Sequence, residues 1–350
     1  LRLGDEFSEV AEFTKDSWAP GKTWEKQSPH LVLKAHQLAL TYETTHSYLA
    51  LDILVGDEVR YQHQSPIDVL AYNHWAGSSH LQELLCSFVL PNHPAVHEIL
   101  KKIEDCSICG YQQGSEHAYE LVSEIYKDET ELNLLYVEGS FGFLEMGQKI
   151  RTPDQILTHK QGNCLDITCL FAACMRLAGL HPLLVLVAGH AFPGCWLRQE
   201  DDPNGHIEDA ATLQKALDLG ILCLFDSSSV CHPPGCSFTE AEAVARDYLV
   251  DESSFGLALD LRSAERSKIR PLPLRFSTEA GQVTVVTEEA RVPVLEEVRY
   301  PAAWQATTEA DRRPQQLWEK RLESWKNRLL DLSTRNKLLD LRRDSNKRVL

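Results

Sequence analysis

The stretch "QGNCLDITCLFAACMRLAGLHPLLVLVAGHAF", residues 161–192, decides how this chain is interpreted. Apolar side chains in its first half recur at helical spacing, which predicts a helix. These side chains are Ile167, Leu170, Phe171, Cys174 and Ala178. Gly179 is the expected helix stop. The apolar run that follows predicts a buried strand, with His190 after it.

Three side chains around this stretch have the types and the order of a nucleophile, a base and an orienting acid. Cys164 precedes or begins the predicted helix, where free backbone N–H groups and the helix dipole stabilise a thiolate. His190 follows the strand, and Asp226 closes a later strand, "ILCLFD". An imidazole held by a carboxylate can take the proton of a nearby thiol. Each residue alone also fits a structural role, and their order along the chain is what favours catalysis.

The same residues resemble the core of the transglutaminase-like superfamily of papain-fold cysteine enzymes. The resemblance rests on residues 161–192 and on "FDSSS", which is similar to the family's Asp-x-Thr strand end. It implies an α+β fold in which a helix bearing Cys164 packs on an antiparallel sheet that carries His190 and Asp226. The interval of 36 residues between His190 and Asp226 is longer than the compact family pattern, so Asp209 in "HIEDAA" competes for the third role.

A cysteine protease is the activity that this resemblance implies, with a thioester intermediate resolved by water. The oxyanion of such a reaction needs hydrogen-bond donors, for which the Cys164 backbone N–H is the first candidate and Gln161 the second. Trp196 is a candidate for the wall of the cleft, although a position in the core is the favoured interpretation. Two other functions remain open, namely an inactive interaction scaffold and a transferase or deamidase acting on protein glutamine.

Four more stretches resemble a large bacterial protein family in which a transglutaminase-like domain precedes a superfamily-one helicase. They are "LLCSFVLPNHPAV", "GQKIRTPDQIL", "FGLALDLRSAERSKIRPLP" and "WKNRLLDLSTRNKLLDLR". The resemblance implies that residues 1–75 end an immunoglobulin-like β-sandwich, residues 76–300 form the peptidase domain and residues 301–350 are a helical connector. The opening "LRLGDEF", without Met, is interpreted as the edge of a longer protein.

The partners expected from this architecture are a protein or peptide substrate and the helicase region of the same polypeptide. Nucleic acid is expected to bind only through that helicase region, because this chain carries 51 acidic and 35 basic residues, a formal charge of −16. No apolar run is long enough for a membrane span, and no signal peptide is recognised. The architecture also suggests a setting in anti-phage defence, by analogy alone.

Ten cysteines in a chain of 350 residues do not indicate a disulfide scaffold, which is typical of short secreted domains. Several lie in apolar runs where a thiol acts as a small hydrophobic group, which favours a reducing cytoplasm. No cofactor is expected. Four cysteines have spacings that would suit a zinc site, but isolated structural thiols explain them as well. They are Cys106, Cys109, Cys231 and Cys236.

Three local predictions concern the elements around this core. Residues 31–40 and 47–72 alternate like strands, and "VGDEV" (55–59) predicts the turn of a hairpin. Helices are expected over about 115–127 and 209–220, with Asn92 as the cap of another. Pro193 and Gly194 are expected to separate two strands.

Overall fold

The structure of this chain is a computed structural model. The described residues are 1–17, 19, 21–25, 29–77, 82–103, 110–111, 114–139, 147–199, 205–231, 236–277 and 283–286. The predicted connector at 301–350 lies outside them. The predicted domain boundaries near residues 75 and 300 stay predictions.

The described elements are eight α-helices, thirteen strands and three 3-10 helices. In chain order the strands are β1 (Arg2–Leu3), β2 (Thr45–Val55), β3 (Glu58–Val69), β4 (His74–Trp75), β5 (Leu135–Tyr136), β6 (Gln148–Lys149), β7 (Gln161–Gly162), β8 (His181–Val187), β9 (His190–Trp196), β10 (Leu222–Leu224), β11 (Phe255–Asp260), β12 (Leu274–Ser277) and β13 (Val283–Val286). The helices are α1 (Ala35–Ala39), α2 (Pro94–Leu100), α3 (Ser115–Thr130), α4 (Pro153–His159), α5 (Cys164–Leu177), α6 (Ala210–Asp218), α7 (Phe238–Asp247) and α8 (Leu261–Arg266). The 3-10 helices are Gln82–Phe88, Ser227–Cys231 and Glu252–Ser254.

A four-stranded antiparallel sheet in the order β10-β9-β8-β11 organises the core. Successive strand residues point to opposite faces, and along β8 the odd-numbered side chains Leu183 to Val187 enter one apolar cluster with α6 and α7. The even-numbered Leu184 and Leu186 enter a second, larger cluster with α2, α3 and α5. The sheet is therefore covered on both faces, which explains why β8 reads as an unbroken apolar run.

Helix α5 is the central helix of the larger cluster. Its residues from Cys164 to Met175 are all buried, which is the pattern of a helix packed on every side. Gly179, with a φ of +81°, follows its last residues as the sequence predicts. Helices together with antiparallel sheets confirm the α+β class. No helix within the described ranges combines the length and the apolar character needed to cross a membrane.

The predicted hairpin is confirmed, but the strand predicted at 31–40 is wrong. Strands β2 and β3 pair antiparallel around Gly56, whose φ is +60°, and β1 pairs with β2 at the other edge. Residues 35–39 instead form the short helix α1, with Ala39 buried. Ala, Gln and Leu favour helices, and a ten-residue alternation is too short to separate the two periods.

Two other local predictions are also corrected. Helix α2 begins after His93, whose Nδ1 accepts the backbone N–H of Ala95 at 3.2 Å, so His93 rather than Asn92 is its cap. Pro193 and Gly194 lie inside β9. The pairing of β9 with β10 begins at Gly194, and the Pro193 carbonyl accepts a hydrogen bond from the Phe225 N–H. Proline has no N–H to donate, but at this position, just past the end of β10, no ladder bond is lost.

Candidate active site

Cys164 is the first residue of α5, and the start of this helix is held from both sides. Asn163 Oδ1 accepts the Asp166 N–H at 3.0 Å, and Asp166 Oδ2 accepts the Asn163 N–H at 3.0 Å. Arg151 Nη1 donates to Asp166 Oδ2 at 2.7 Å. Such a reciprocal cap fixes the first turn. The sulfur of Cys164 therefore belongs to the positively polarised end of a rigid, buried helix.

The segment before Cys164 pairs in parallel with β5. Tyr136 is opposite Gly162, and the N–H of Val137 donates to the Gly162 carbonyl at 3.0 Å. A side chain at Gly162 would meet Ile167 Cγ1 at 2.9 Å, so glycine allows the close approach. The pairing brings Tyr136, which is 37% exposed, beside Cys164. Burial, followed by the neighbouring Cys164, raises the pKa of the Tyr136 phenol.

His190 is the first residue of β9, directly after a turn at Gly189 whose φ is +74°. Its Nε2 lies 2.8 Å from Asp226 Oδ1. The Cys164 side chain lies close enough to the imidazole to raise its pKa. Because Nε2 is engaged by the carboxylate, Nδ1 is the ring nitrogen left for the sulfur. The structure thus brings together the three residues that the sequence singled out, exposed to only 3%, 7% and 5% for Cys164, His190 and Asp226.

The Asp226 carboxylate is held by more than His190. Ser228 donates its backbone N–H to Oδ1 at 3.2 Å and its hydroxyl to Oδ2 at 2.9 Å, while the Ser229 hydroxyl donates to Oδ2 at 2.7 Å. Burial acts to raise the pKa of Asp226, but the bonds from His190 and the serines outweigh it, and the pKa is lowered. Asp226 is consequently an oriented carboxylate at neutral pH.

The pKa of His190 is raised to about 9. Burial alone would lower it, but the hydrogen bond to Asp226 and the interaction with Cys164 have the larger combined effect. Since the ordinary value is 6.5, protonation of His190 stabilises the fold fully below pH 6.5, and this stabilisation is lost as the pH rises to about 9. At neutral pH the imidazolium form of His190 is therefore favoured beside the Asp226 carboxylate.

Tyr248 covers the imidazole. Its ring stacks on that of His190 with centroids 4.8 Å apart at 30°, and on Phe192 with centroids 5.8 Å apart. Tyr248 is 37% exposed, so it forms part of the surface over His190. An aromatic face over the ring shields the bond between His190 and Asp226 from water, where hydrogen bonds are electrostatically weaker.

The other predicted site residues lie elsewhere. Asp209 is exposed and caps α6, accepting the N–H groups of Ala211 and Thr212, so it does not contact His190. Trp196 ends β9, about 20 Å along the strand from His190, and its Nε1 donates to the buried Asp260 at 2.9 Å. The structure thus places Trp196 in the core and not in a cleft wall at Cys164. Gln161 is exposed in β7, and its role as an oxyanion donor stays a prediction.

The zinc prediction is tested only in part. Cys106 and Cys109 lie outside the described residues. Cys231 is buried and Cys236 is partly exposed, with its thiol 3.7 Å from Glu240 Oε2. Over the part of the chain that the structure describes, no three His, Cys, Asp or Glu side chains cluster as metal ligands would.

Sequence reasoning missed Tyr136, Tyr248 and the two serines that hold Asp226. The sequence could have predicted the role of the serines, because hydroxyls two and three residues after an aspartate commonly donate hydrogen bonds to its carboxylate. The tyrosines carried no such signal: Tyr136 reaches the site through a parallel strand pair, and Tyr248 through the packing of α7 on the sheet.

Asp226→Asn is expected to lower the pKa of His190 from about 9 to the ordinary value or below, because burial is then less opposed. NMR titration of the His190 ring measures this. Asp209→Asn is the matched control and should leave the His190 titration unchanged, since Asp209 bonds only to its own helix start. A shift of the His190 pKa in Asp209→Asn and none in Asp226→Asn would reverse the assignment.

Comparisons with protein-family models, with curated proteins and with solved structures give no significant match for this chain.

Proposed function

We propose that this chain is a cysteine protease of the transglutaminase-like, papain-fold type. The observation that carries the proposal is the buried array of Cys164, His190 and Asp226, with its 2.8 Å bond between imidazole and carboxylate. The packing of α5 against strands of the antiparallel sheet supports the same proposal. A nucleophile, a base and an orienting acid within hydrogen-bond reach are the requirement for covalent catalysis.

The reaction begins with the thiolate of Cys164, which the His190 imidazolium and the helix start favour. The sulfur attacks the carbonyl carbon of an amide, and the C=O π electrons move onto the oxygen. The Cys164 N–H and the Tyr136 phenol are the donors proposed for this oxyanion. His190 gives its Nδ1 proton to the amine nitrogen, the C–N bond breaks, and a thioester remains.

Water completes the cycle. Neutral His190 takes a proton from a water molecule whose oxygen attacks the thioester carbon, and the C–S bond breaks. The products are a carboxylic acid, the regenerated Cys164 thiolate and the His190 imidazolium, so the balance is one water consumed for each amide bond cleaved. Asp226 holds the imidazole in one orientation throughout.

The wider setting of the proposal comes from the resemblance alone. The protease is proposed to act in the bacterial cytoplasm as a module of a helicase-containing protein, with a protein or peptide substrate and a defence role against phage. Nucleic acid is proposed to reach it only through the helicase region. An inactive scaffold and a glutamine transferase or deamidase are the outcomes against which the proposal is tested.

Selective alkylation tests the proposal directly. Iodoacetamide at neutral pH is expected to label Cys164, which is 3% exposed, at least about 10-fold faster than the more exposed Cys236, because a nearby imidazolium activates a thiol more than exposure does. Peptide mapping by mass spectrometry gives both rates. Faster labelling of Cys236 would favour the scaffold. Incubation with casein and a primary amine then separates the enzymes: new peptide termini indicate hydrolysis, and amine incorporation indicates transfer.

A further inference from the structure

Thr168 joins the three parts of the proposed active site. It lies one helical turn after Cys164 on α5 and is wholly buried. Its Oγ1 is 3.1 Å from the carbonyl oxygen of Ala191 and 3.2 Å from Ser227 Oγ. Ala191 directly follows His190, and Ser227 directly follows Asp226. One hydroxyl therefore contacts the neighbours of both groups that face Cys164.

The direction of these bonds follows from the atoms present. A carbonyl can only accept, so Thr168 gives its single proton to Ala191. The Ser227 hydroxyl then donates to Thr168 Oγ1. This chain of donors runs from the strand end that carries Asp226, through the helix that carries Cys164, to the strand that carries His190. We call it the hydroxyl bridge, formed by Ser227, Thr168 and Ala191.

The hydroxyl bridge lies on the β10 side of β9, whereas on the other side His190 and Ala191 are paired with Val187 and Leu186 of β8. Strand β10 pairs with β9 only from Gly194 to Trp196, so the part of β9 with His190 and Ala191 extends beyond this pairing. Backbone carbonyls buried at such a place need another donor. Thr168 on α5 donates to the Ala191 carbonyl on β9. This bond fixes the distance between α5 and β9 beside Cys164 and His190.

We infer that Thr168 is a positioning residue of the proposed cysteine protease, and that its hydroxyl sets the distance between Cys164 and the pair of His190 and Asp226. The inference rests on the proposed function, which it deepens. Thr168 does not touch the reacting atoms, and it acts through the backbone of its neighbours. Misplacement of reacting groups by about 1 Å can lower a rate about 100-fold.

Thr168→Val removes the hydroxyl and keeps the shape. The variant is expected to lower the rate of Cys164 alkylation by about 10- to 100-fold. The pKa of His190 should also fall below about 9, because Asp226 and Cys164, which raise it, lie farther from the imidazole. Thr168→Ser keeps the hydroxyl and should retain both properties. Thr41→Val is the matched control, since Thr41 is a buried threonine whose hydroxyl donates to a helix carbonyl, that of Gln37, at 3.2 Å.

The outcomes separate the two proposals. A folded Thr168→Val variant with an unchanged alkylation rate and an unchanged His190 titration would overturn the role of Thr168. Wild-type protein in which Cys164 is not labelled selectively would instead overturn the proposed function. If Thr168→Val does not fold, Ser227→Ala removes only the outer donor and should shift both measurements in the same direction by less. No shift in Ser227→Ala would then contradict the inference.

Discussion

Cys164→Ala is expected to abolish the thioester intermediate and to lower amide hydrolysis by about 10,000- to 1,000,000-fold. Alanine keeps the helix start and the bond between His190 and Asp226, but it has no atom that can attack a carbonyl. A library of fluorogenic peptide amides measures turnover, and intact-protein mass spectrometry detects the acyl-enzyme. The size of the effect follows from the loss of the covalent step itself.

Cys169→Ala is the matched control for this experiment. Cys169 belongs to the same helix and is as deeply buried, but after burial it is Asp166 and Cys86, not His190 or Asp226, that act most on its thiol. Its removal should leave turnover within a few-fold of the wild type. The pH dependence adds a second check: turnover of the wild type should fall as the pH rises through about 9, where His190 loses the proton that the leaving amine needs. Activity that persists in Cys164→Ala would exclude this cysteine as the nucleophile.

Glu129→Gln is expected to stabilise the protein at neutral and alkaline pH. Glu129 lies on α3 with an exposed fraction of 0%, and neither carboxylate oxygen has a conventional hydrogen-bond partner in the part of the chain that the structure describes. Its polar neighbour is the buried thiol of Cys174 on α5. Burial therefore raises the pKa of Glu129 well above its ordinary value of 4.5.

The sign of the effect follows from proton linkage. Because the folded state holds the Glu129 proton more tightly than the unfolded state, the free energy of unfolding falls as the pH rises from about 4.5 to the folded-state pKa. Each pKa unit of the shift corresponds to about 1.4 kcal/mol. Glutamine has no proton to lose, so the free energy of unfolding of the variant should fall less between pH 5 and pH 8 than that of the wild type. Urea unfolding of both proteins at pH 5 and pH 8 gives the difference.

Glu131→Gln provides the comparison for Glu129. Glu131 directly follows α3, two residues after Glu129, and is exposed, so its replacement should change the free energy of unfolding by no more than about 0.5 kcal/mol. An equal change in the free energy of unfolding between pH 5 and pH 8 for the wild type and Glu129→Gln would contradict the prediction, because it would mean that Glu129 is ionised in the folded protein.

The sequence was sufficient to place Cys164 at a helix start and His190 next to an apolar strand, because these signals are local. A capped helix start and an apolar strand are patterns of a few neighbouring residues, and each places one side chain. The choice between Asp226 and Asp209 was not local, because it depends on which carboxylate the pairing of β9 and β10 brings to His190. Asp209 did carry a signal for its actual role, since an aspartate before "AATLQKAL" is a typical helix cap.

Long-range packing explains the remaining differences. The Thr168 contacts and the Tyr248 stack join segments that are far apart in sequence, and no periodicity reports such contacts. At α1 the alternation of residues 31–40 was overruled by residues with high helix propensity. The sequence alone predicts a strand break at Pro193, because only the register of the strands shows that this residue lies past the end of β10.

The antiparallel adjacency of β9 and β10 makes the distance between His190 and Asp226 independent of the length of the loop between them. The 36-residue separation between these residues contains α6 and returns the chain to the neighbouring strand, where the two side chains meet at 2.8 Å. Ten inserted residues would add only about 0.2 kcal/mol of loop-closure free energy. The connection can therefore be enlarged and given new surfaces, while the pair of His190 and Asp226 keeps its geometry.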